Sequence, residues 1–116
     1  MEPLIPLAAA ALLSGADVSA ALTLSFPGNV QRNVVQYECE GVESFSVDYI
    51  NAEPNFLALV PINGRRMVFV NVVSGSGARY VAGQYEWHTK GAEATFVDTM
   101  VADQAPVTCS ERNETP

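Results

Sequence analysis

Met67-Val68-Phe69-Val70-Asn71-Val72-Val73-Ser74-Gly75-Ser76-Gly77-Ala78-Arg79-Tyr80 is a run of β-formers that breaks into a Ser/Gly tract and then resumes. Val and Phe fit a pleated, half-covered surface, whereas Gly reaches backbone angles closed to other residues, so the run reads as strand, sharp loop, strand. Nearly every position of Met67–Val73 is apolar, which predicts a strand covered on both faces. Gly75 and Gly77 let the loop bend and push Ser76 to its tip.

The same alternation recurs on either side. Short stretches rich in Val, Phe, Tyr and Thr predict strands at Leu22–Phe26, Val34–Cys39, Ser44–Ile50, Phe56–Pro61, Met67–Val73, Arg79–His88, Ala92–Asp98 and Val107–Glu111. Turn residues separate them: Pro27-Gly28-Asn29, Glu40-Gly41, Asn51–Asn55, Asn63-Gly64, Ser74–Gly77 and Lys90-Gly91. Phe45, Val47 and Tyr49 fall on one side of their strand, opposite Ser46, Asp48 and Ile50. The fold class is therefore all-β. Short connections favour a small eight-stranded antiparallel barrel, because closure removes exposed edges; a two-layer sandwich is the competing architecture. A barrel this small is filled by its own side chains, here Phe45, Tyr49, Phe56, Phe69, Tyr80, Tyr85, Trp87 and Phe96, which argues against a carrier of small ligands. A polar tail, Arg112–Pro116, is expected to fray.

The first part of the chain stands apart. Leu4–Leu13 is an Ala/Leu-rich apolar run, followed by Ser14-Gly15 and small residues up to Ala21, the pattern of a secretory leader cut after Ala20 or Ala21. Residues 1–20 are thus expected to be a signal peptide and 21–116 the working domain. The run is shorter than the roughly 20 residues of a membrane span. Glu2 precedes it where a leader carries positive charge, which leaves a buried N-terminal helix as the alternative. No cysteine follows the run, so a soluble periplasmic product without a stable membrane anchor is expected.

Removing residues 1–20 takes Glu2 and Asp17 from the 13 acidic residues and none of the 6 basic ones, leaving 11 against 6. A charge of about −5 opposes nucleic-acid phosphates and anionic lipids and speeds encounter with cationic proteins. Cys39 and Cys109 are the two cysteines, one near each end of the working domain. In an exported protein two cysteines most often pair, the alternative being two buried thiols; no CxxC or Cys/His spacing supports a metal or redox centre.

Catalysis is poorly supported, and neither a catalytic residue nor a cofactor is expected. Ser76 and Lys90 could form a nucleophile–base pair only if the lysine were desolvated, yet Lys90 precedes Gly91 in a hairpin turn where solvent keeps an ammonium charged. The single histidine, His88, stands beside Trp87 in a strand, a setting typical of a half-buried structural residue. What remains is recognition of a protein by loops. Here Arg79–His88, read as one strand, poses a difficulty: in a simple meander it sends Ser76 and Lys90 to opposite ends. A bend or bulge at Gly83 would ease it.

The stretch Phe69–Tyr80 together with Tyr85-Glu86-Trp87-His88-Thr89-Lys90-Gly91-Ala92-Glu93-Ala94 resembles the signature of the MliC/PliC family, bacterial inhibitors of c-type lysozyme. The likeness extends to Tyr37-Glu38-Cys39, Tyr49-Ile50-Asn51 and the second cysteine, and so covers nearly all of the working domain. The resemblance implies a compact eight-stranded barrel and a c-type lysozyme as partner. It also implies that Ser76 and Lys90 enter the lysozyme cleft from one shared surface. On that resemblance Thr89 is expected to be a weaker contact, Arg79 and Tyr80 to brace the loop or touch the partner's rim, Gly75 and Gly77 to shape the loop, and Cys39 with Cys109 to staple the barrel. His88 departs from the pattern, where many relatives carry a second aromatic. The competing reading is an acidic binding module for another cationic protein, without catalytic activity; the oligomeric state is left open.

Overall fold

The computed structural model describes residues 20–112; the greater part of the expected leader, residues 1–19, and the end of the polar tail, residues 113–116, lie outside the described residues. Eight strands follow one another: β1 (Gln31–Cys39), β2 (Phe45–Ala52), β3 (Asn55–Ile62), β4 (Arg65–Val72), β5 (Ala78–Ala82), β6 (Tyr85–Lys90), β7 (Glu93–Asp98) and β8 (Val107–Glu111). Each pairs antiparallel with the next, and β8 returns to β1 to close the barrel. The all-β barrel expected from the sequence is the fold observed, and no sandwich forms.

Several hairpins are set by local chemistry. Ile62 pairs with Arg65 across the two-residue turn Asn63-Gly64, and both turn residues have positive φ, 51° and 79°. Only Gly and Asn adopt that geometry readily, and its twist matches that of the strands it joins.

Two expectations about strand limits are corrected, and the corrections depend on each other. Arg79–His88 is not one strand but two, β5 and β6, folded at Gly83-Gln84 with Gly83 at φ +56°. Leu22–Phe26 is not a strand at all; it has no regular structure and Leu22 is 81% exposed. With β5 and β6 both counted, the ring closes on eight strands. A ninth would place the first and last strands parallel, which an antiparallel closure excludes.

A third correction concerns Met67–Val73. Phe69 is fully buried, but Val68 and Val70 are about half exposed and Val73 is open to solvent. The strand is covered on one face only, because a single-layer barrel has one interior and nothing stacks on its outside.

The interior is filled by Trp87, Tyr37, Phe69, Val47 and Val60. Trp87 meets Tyr37 edge-to-face at 5.0 Å between ring centroids and donates its indole N–H to the Tyr49 hydroxyl at 2.9 Å. That hydroxyl lies 2.7 Å from the hydroxyl of Tyr37. Burial above all pushes the pKa of both tyrosines up, so each keeps its proton and the chain of polar groups stays neutral. Cys39 and Cys109 are register partners across the β1–β8 seam and form a disulfide with a Cα–Cα distance of 4.0 Å and a sequence separation of 70.

On the outer wall Asp48 is only 2% exposed. Arg32, on β1, donates to its carboxylate at 2.9 Å, and Arg66, reaching across β3 from β4, donates to the same oxygen. The bond from Arg32 is the main reason the Asp48 pKa lies below the usual carboxylate range; burial opposes the shift, and the bond from Arg66 reinforces it. A carboxyl depressed in the folded state stabilises fully above its unfolded value of about 3.9, and that contribution is lost as pH falls through the folded value. Asp48→Asn is therefore expected to destabilise at pH 7, with the gap to wild type narrowing below about pH 4. Urea unfolding of both proteins between pH 7 and pH 2 checks this, and a gap independent of pH would contradict it.

Candidate functional site

In an antiparallel meander successive connections alternate between the two poles of the barrel. The split of Arg79–His88 into β5 and β6 adds one reversal, so the β4–β5 connection, residues 73–77, and the β6–β7 turn emerge at the same pole. Ala78 of β5 pairs with Thr89 of β6. Ser76 lies two residues before that pair and Lys90 one residue after it, so the hydroxyl and the ammonium stand on neighbouring chains. The separation expected of a single long strand is thereby corrected: a full turn at Gly83-Gln84, not a bend within a strand, brings the two together.

The loop that carries Ser76 rests directly on β6. Gly77 has φ +71°, and a Cβ there would stand 2.2 Å from the Thr89 carbonyl oxygen, so neither the backbone angle nor the space admits a side chain. Gly75 lies outside the positive-φ region and has open space around it, so the geometric demand for glycine falls on Gly77. The Ser76 carbonyl accepts from the Ser74 hydroxyl at 2.8 Å and meets His88 Nε2 at 2.9 Å. Ser76 itself is exposed, as is Lys90.

The remaining expected site residues divide by position. Arg79 points along the outer wall and pairs with Glu86 at 3.0 Å, while its carbonyl accepts from Asn71 Nδ2 at 3.2 Å. Tyr80 is 8% exposed and its ring stands 5.7 Å from that of Tyr49, so it belongs to the barrel interior. Thr89 is half-buried and carries the carbonyl beneath Gly77. Cys39 and Cys109 sit at the seam. Ser74 and His88 are not among the contact candidates of the sequence, where His88 reads as a structural residue; the register Arg79↔His88 that places His88 beside the loop becomes readable only once Gly83-Gln84 is taken as a two-residue hairpin turn.

Elsewhere, a recess of about 610 Å³ opens at the opposite pole between Phe45, Ile62, Phe96 and Val107, remote from Ser76 and Lys90. Among the described residues no group of three or more His, Cys, Asp or Glu side chains is arranged to hold a metal ion, and no helix is long and apolar enough to cross a membrane.

A closed antiparallel barrel with a disulfide at its seam and a latched, hydroxyl-bearing loop beside a lysine at one pole defines a small all-β protein whose exposed chemistry lies on loops. The family described as membrane-bound lysozyme-inhibitor of c-type lysozyme matches residues 37–105, a span that contains Ser76, Lys90 and the whole of β2 to β7, and this chain belongs to that family. It is 43% identical over 94 residues to the membrane-bound lysozyme inhibitor of C-type lysozyme of Pseudomonas aeruginosa, covering 77% of this chain and 74% of that protein. It is 46% identical over 71 residues to the protein of the same description from Cupriavidus necator, covering 61% of this chain and 57% of that one. Its structure resembles the crystal structure of Pseudomonas aeruginosa MliC in complex with hen egg white lysozyme, with a TM-score of 0.69 and 40% identity over 83% of this chain and 100% of that chain.

Proposed function

We propose that this protein inhibits c-type lysozyme by placing Ser76 and Lys90 into the active-site cleft of the enzyme, and that it carries out no hydrolysis itself. The observation that carries the reading is the convergence of the two residues at one pole, on a loop and a strand end held together by the Ala78–Thr89 pair. The solved complex of a 40% identical relative with hen egg white lysozyme supports the choice of partner. Lysozyme works with two carboxyl groups that flank the scissile bond, one kept protonated as the acid and one ionised. An ammonium pairs with the ionised group, and a hydroxyl donates to or accepts from either. Neither group offers a bond that lysozyme can cleave, so the cleft is filled without turnover. The acidic balance of the chain draws it toward cationic partners and speeds encounter.

The experiment is a lysis assay on peptidoglycan-containing cells with hen egg white lysozyme and increasing amounts of this protein. Lysis should fall as the inhibitor approaches equimolar amounts. Undiminished lysis at large excess would remove this reading and favour an acidic binding module for a different cationic protein. In the same scheme the leader ends at Ala20 or Ala21 and residues 21–116 work in the periplasm. Intact mass of the exported form and its partition between soluble and membrane fractions test that placement, an anchored product being the contrary result.

A further inference from the structure

We propose that His88 is a positioning residue: its Nε2–H holds the Ser76 carbonyl and so pre-sets the loop that bears Ser76 beside Lys90. His88 Nε2 lies 2.9 Å from that carbonyl oxygen. A carbonyl has no proton to give, so Nε2 must carry one and donate, which fixes the neutral ring in its Nε2–H form. The second lone pair of the same oxygen takes the Ser74 hydroxyl at 2.8 Å. One acceptor thus gathers a donor from within the loop and a donor from the neighbouring strand.

The contact is built into the packing. His88 shares the outer face of β6 with Glu86 and Lys90 and is the register partner of Arg79, so its ring is directed along the wall toward the loop. Gly77 lies so close to Thr89 that a Cβ would overlap its carbonyl, and the same Cβ would stand 3.2 Å from His88 Nε2. The loop has therefore been brought down onto β6 at His88 and Thr89, although Ser76, Gly75 and Gly77 are themselves exposed. An exposed loop of this kind, released from β6, would have to be ordered on binding, and that ordering subtracts from affinity. The histidine removes the penalty in advance.

The effect on inhibition rests on the proposed role of Ser76 and Lys90, whereas the latch is a property of the free protein. The test therefore has two arms, run on wild type, His88→Ala, His88→Gln and Ser74→Ala. The first is ¹⁵N relaxation of the loop amides in the free protein, and the second is the Kd for hen egg white lysozyme by calorimetry. Gln places an amide N–H three bonds from Cβ, as His places Nε2–H, so it can restore the donor without the ring.

In His88→Ala the order parameters of residues 74–77 are expected to fall from the rigid value of about 0.85 toward 0.6, and Kd to weaken about two- to tenfold. His88→Gln should recover most of both changes. Ser74→Ala, which leaves β6 untouched, should loosen the loop in the same direction. A loop as rigid and a Kd as tight in His88→Ala as in wild type would overturn the proposal. So would a folded His88→Gln as loose as His88→Ala. Should wild type fail to bind lysozyme while the pattern of loop rigidity holds, the latch stands and the lysozyme reading falls.

Discussion

Lys90→Ala is expected to weaken lysozyme binding by about 2–5 kcal/mol, the range for truncating one partner of a charge pair that is desolvated at an interface. Most of that loss is the penalty of leaving an ionised lysozyme carboxylate in a closed cleft without a counter-charge. Ser76→Ala removes a hydroxyl whose hydrogen bond to a charged group contributes about 1.5–3 kcal/mol, so its effect should be smaller. Glu93 is the register partner of Lys90 and exposed at the rim of the same pole. Glu93→Gln should lower the association rate and its salt dependence and leave dissociation nearly unchanged. Glu86 is a poorer probe, because its neutralisation also breaks the pair with Arg79. Calorimetry together with stopped-flow kinetics on folded variants separates the two behaviours. If Lys90→Ala and Ser76→Ala bind as tightly as wild type while Glu93→Gln loses binding, general charge attraction replaces the filled cleft.

Replacement of both Cys39 and Cys109 by Ser is expected to lower stability by about 4 kcal/mol, because the bond closes a long loop in the unfolded chain. The position of the bond sharpens that expectation. β1 and β8 are the first and last strands of the meander, and their pairing runs only from Tyr37–Glu111 to Cys39–Cys109. It is the pairing most distant in sequence and the one that converts an open sheet into a ring. A domain of this size buries a modest core and has little stability to lose. Urea unfolding of the oxidised wild type and the double variant measures the difference, and a change below about 1 kcal/mol would show that the seam holds without its cross-link.

The class of fold was legible in the sequence because its carriers are local. Asn63-Gly64 demands a tight hairpin, and the alternation of Phe45, Val47 and Tyr49 marks an inward face that the barrel indeed buries. The pairing of Cys39 with Cys109 is the outcome the sequence favours over two buried thiols, and the disulfide is formed. The limits of strands were less legible where two physical signals compete. Tyr80-Val81-Ala82 and Tyr85-Glu86-Trp87 are both good strand sequence, and Gly83-Gln84 between them carries a weaker turn signal than Asn-Gly, so the reversal was hidden. Leu22, Leu24 and Phe26 alternate as a strand would, yet whether a strand forms depends on a partner, which no local pattern encodes. The exposed valines of β4 mislead in the same way, since apolar composition alone does not tell a strand covered twice from one covered once.

The candidate site shows the same division. Ser76 and Lys90 were identified by their residue types and by family likeness, but their closeness depends on the Ala78–Thr89 register, and that register depends on the hidden turn. His88 reads from the sequence as a half-buried structural residue beside Trp87, and its contact with the Ser76 carbonyl becomes legible only with the Arg79–His88 register. Asp48 was assigned to the outward face of β2 and lies there, but its burial beneath Arg32 and Arg66 is assembled from three strands and has no signature within any one of them.

The alternation of connections between two poles has a practical consequence for handling this molecule. Every turn that faces away from Ser76 and Lys90, Asn63-Gly64 and Gly83-Gln84 among them, is exposed, and both Gly64 and Gly83 have open space around them. Exposed tips of this kind tolerate inserted sequence well. The chain enters β1 and leaves β8 at the pole of the loop, so a label joined directly to Gln31 or Glu111 would start on the side of Ser76 and Lys90. Gln84 is tied to Asp98 and Thr99 by hydrogen bonds of 2.8–2.9 Å, so the better graft point is Asn63-Gly64: a fluorophore, an affinity tag or a surface linkage there would hold the barrel by its back and present the Ser76 loop outward, in the orientation that a biosensor or capture reagent needs.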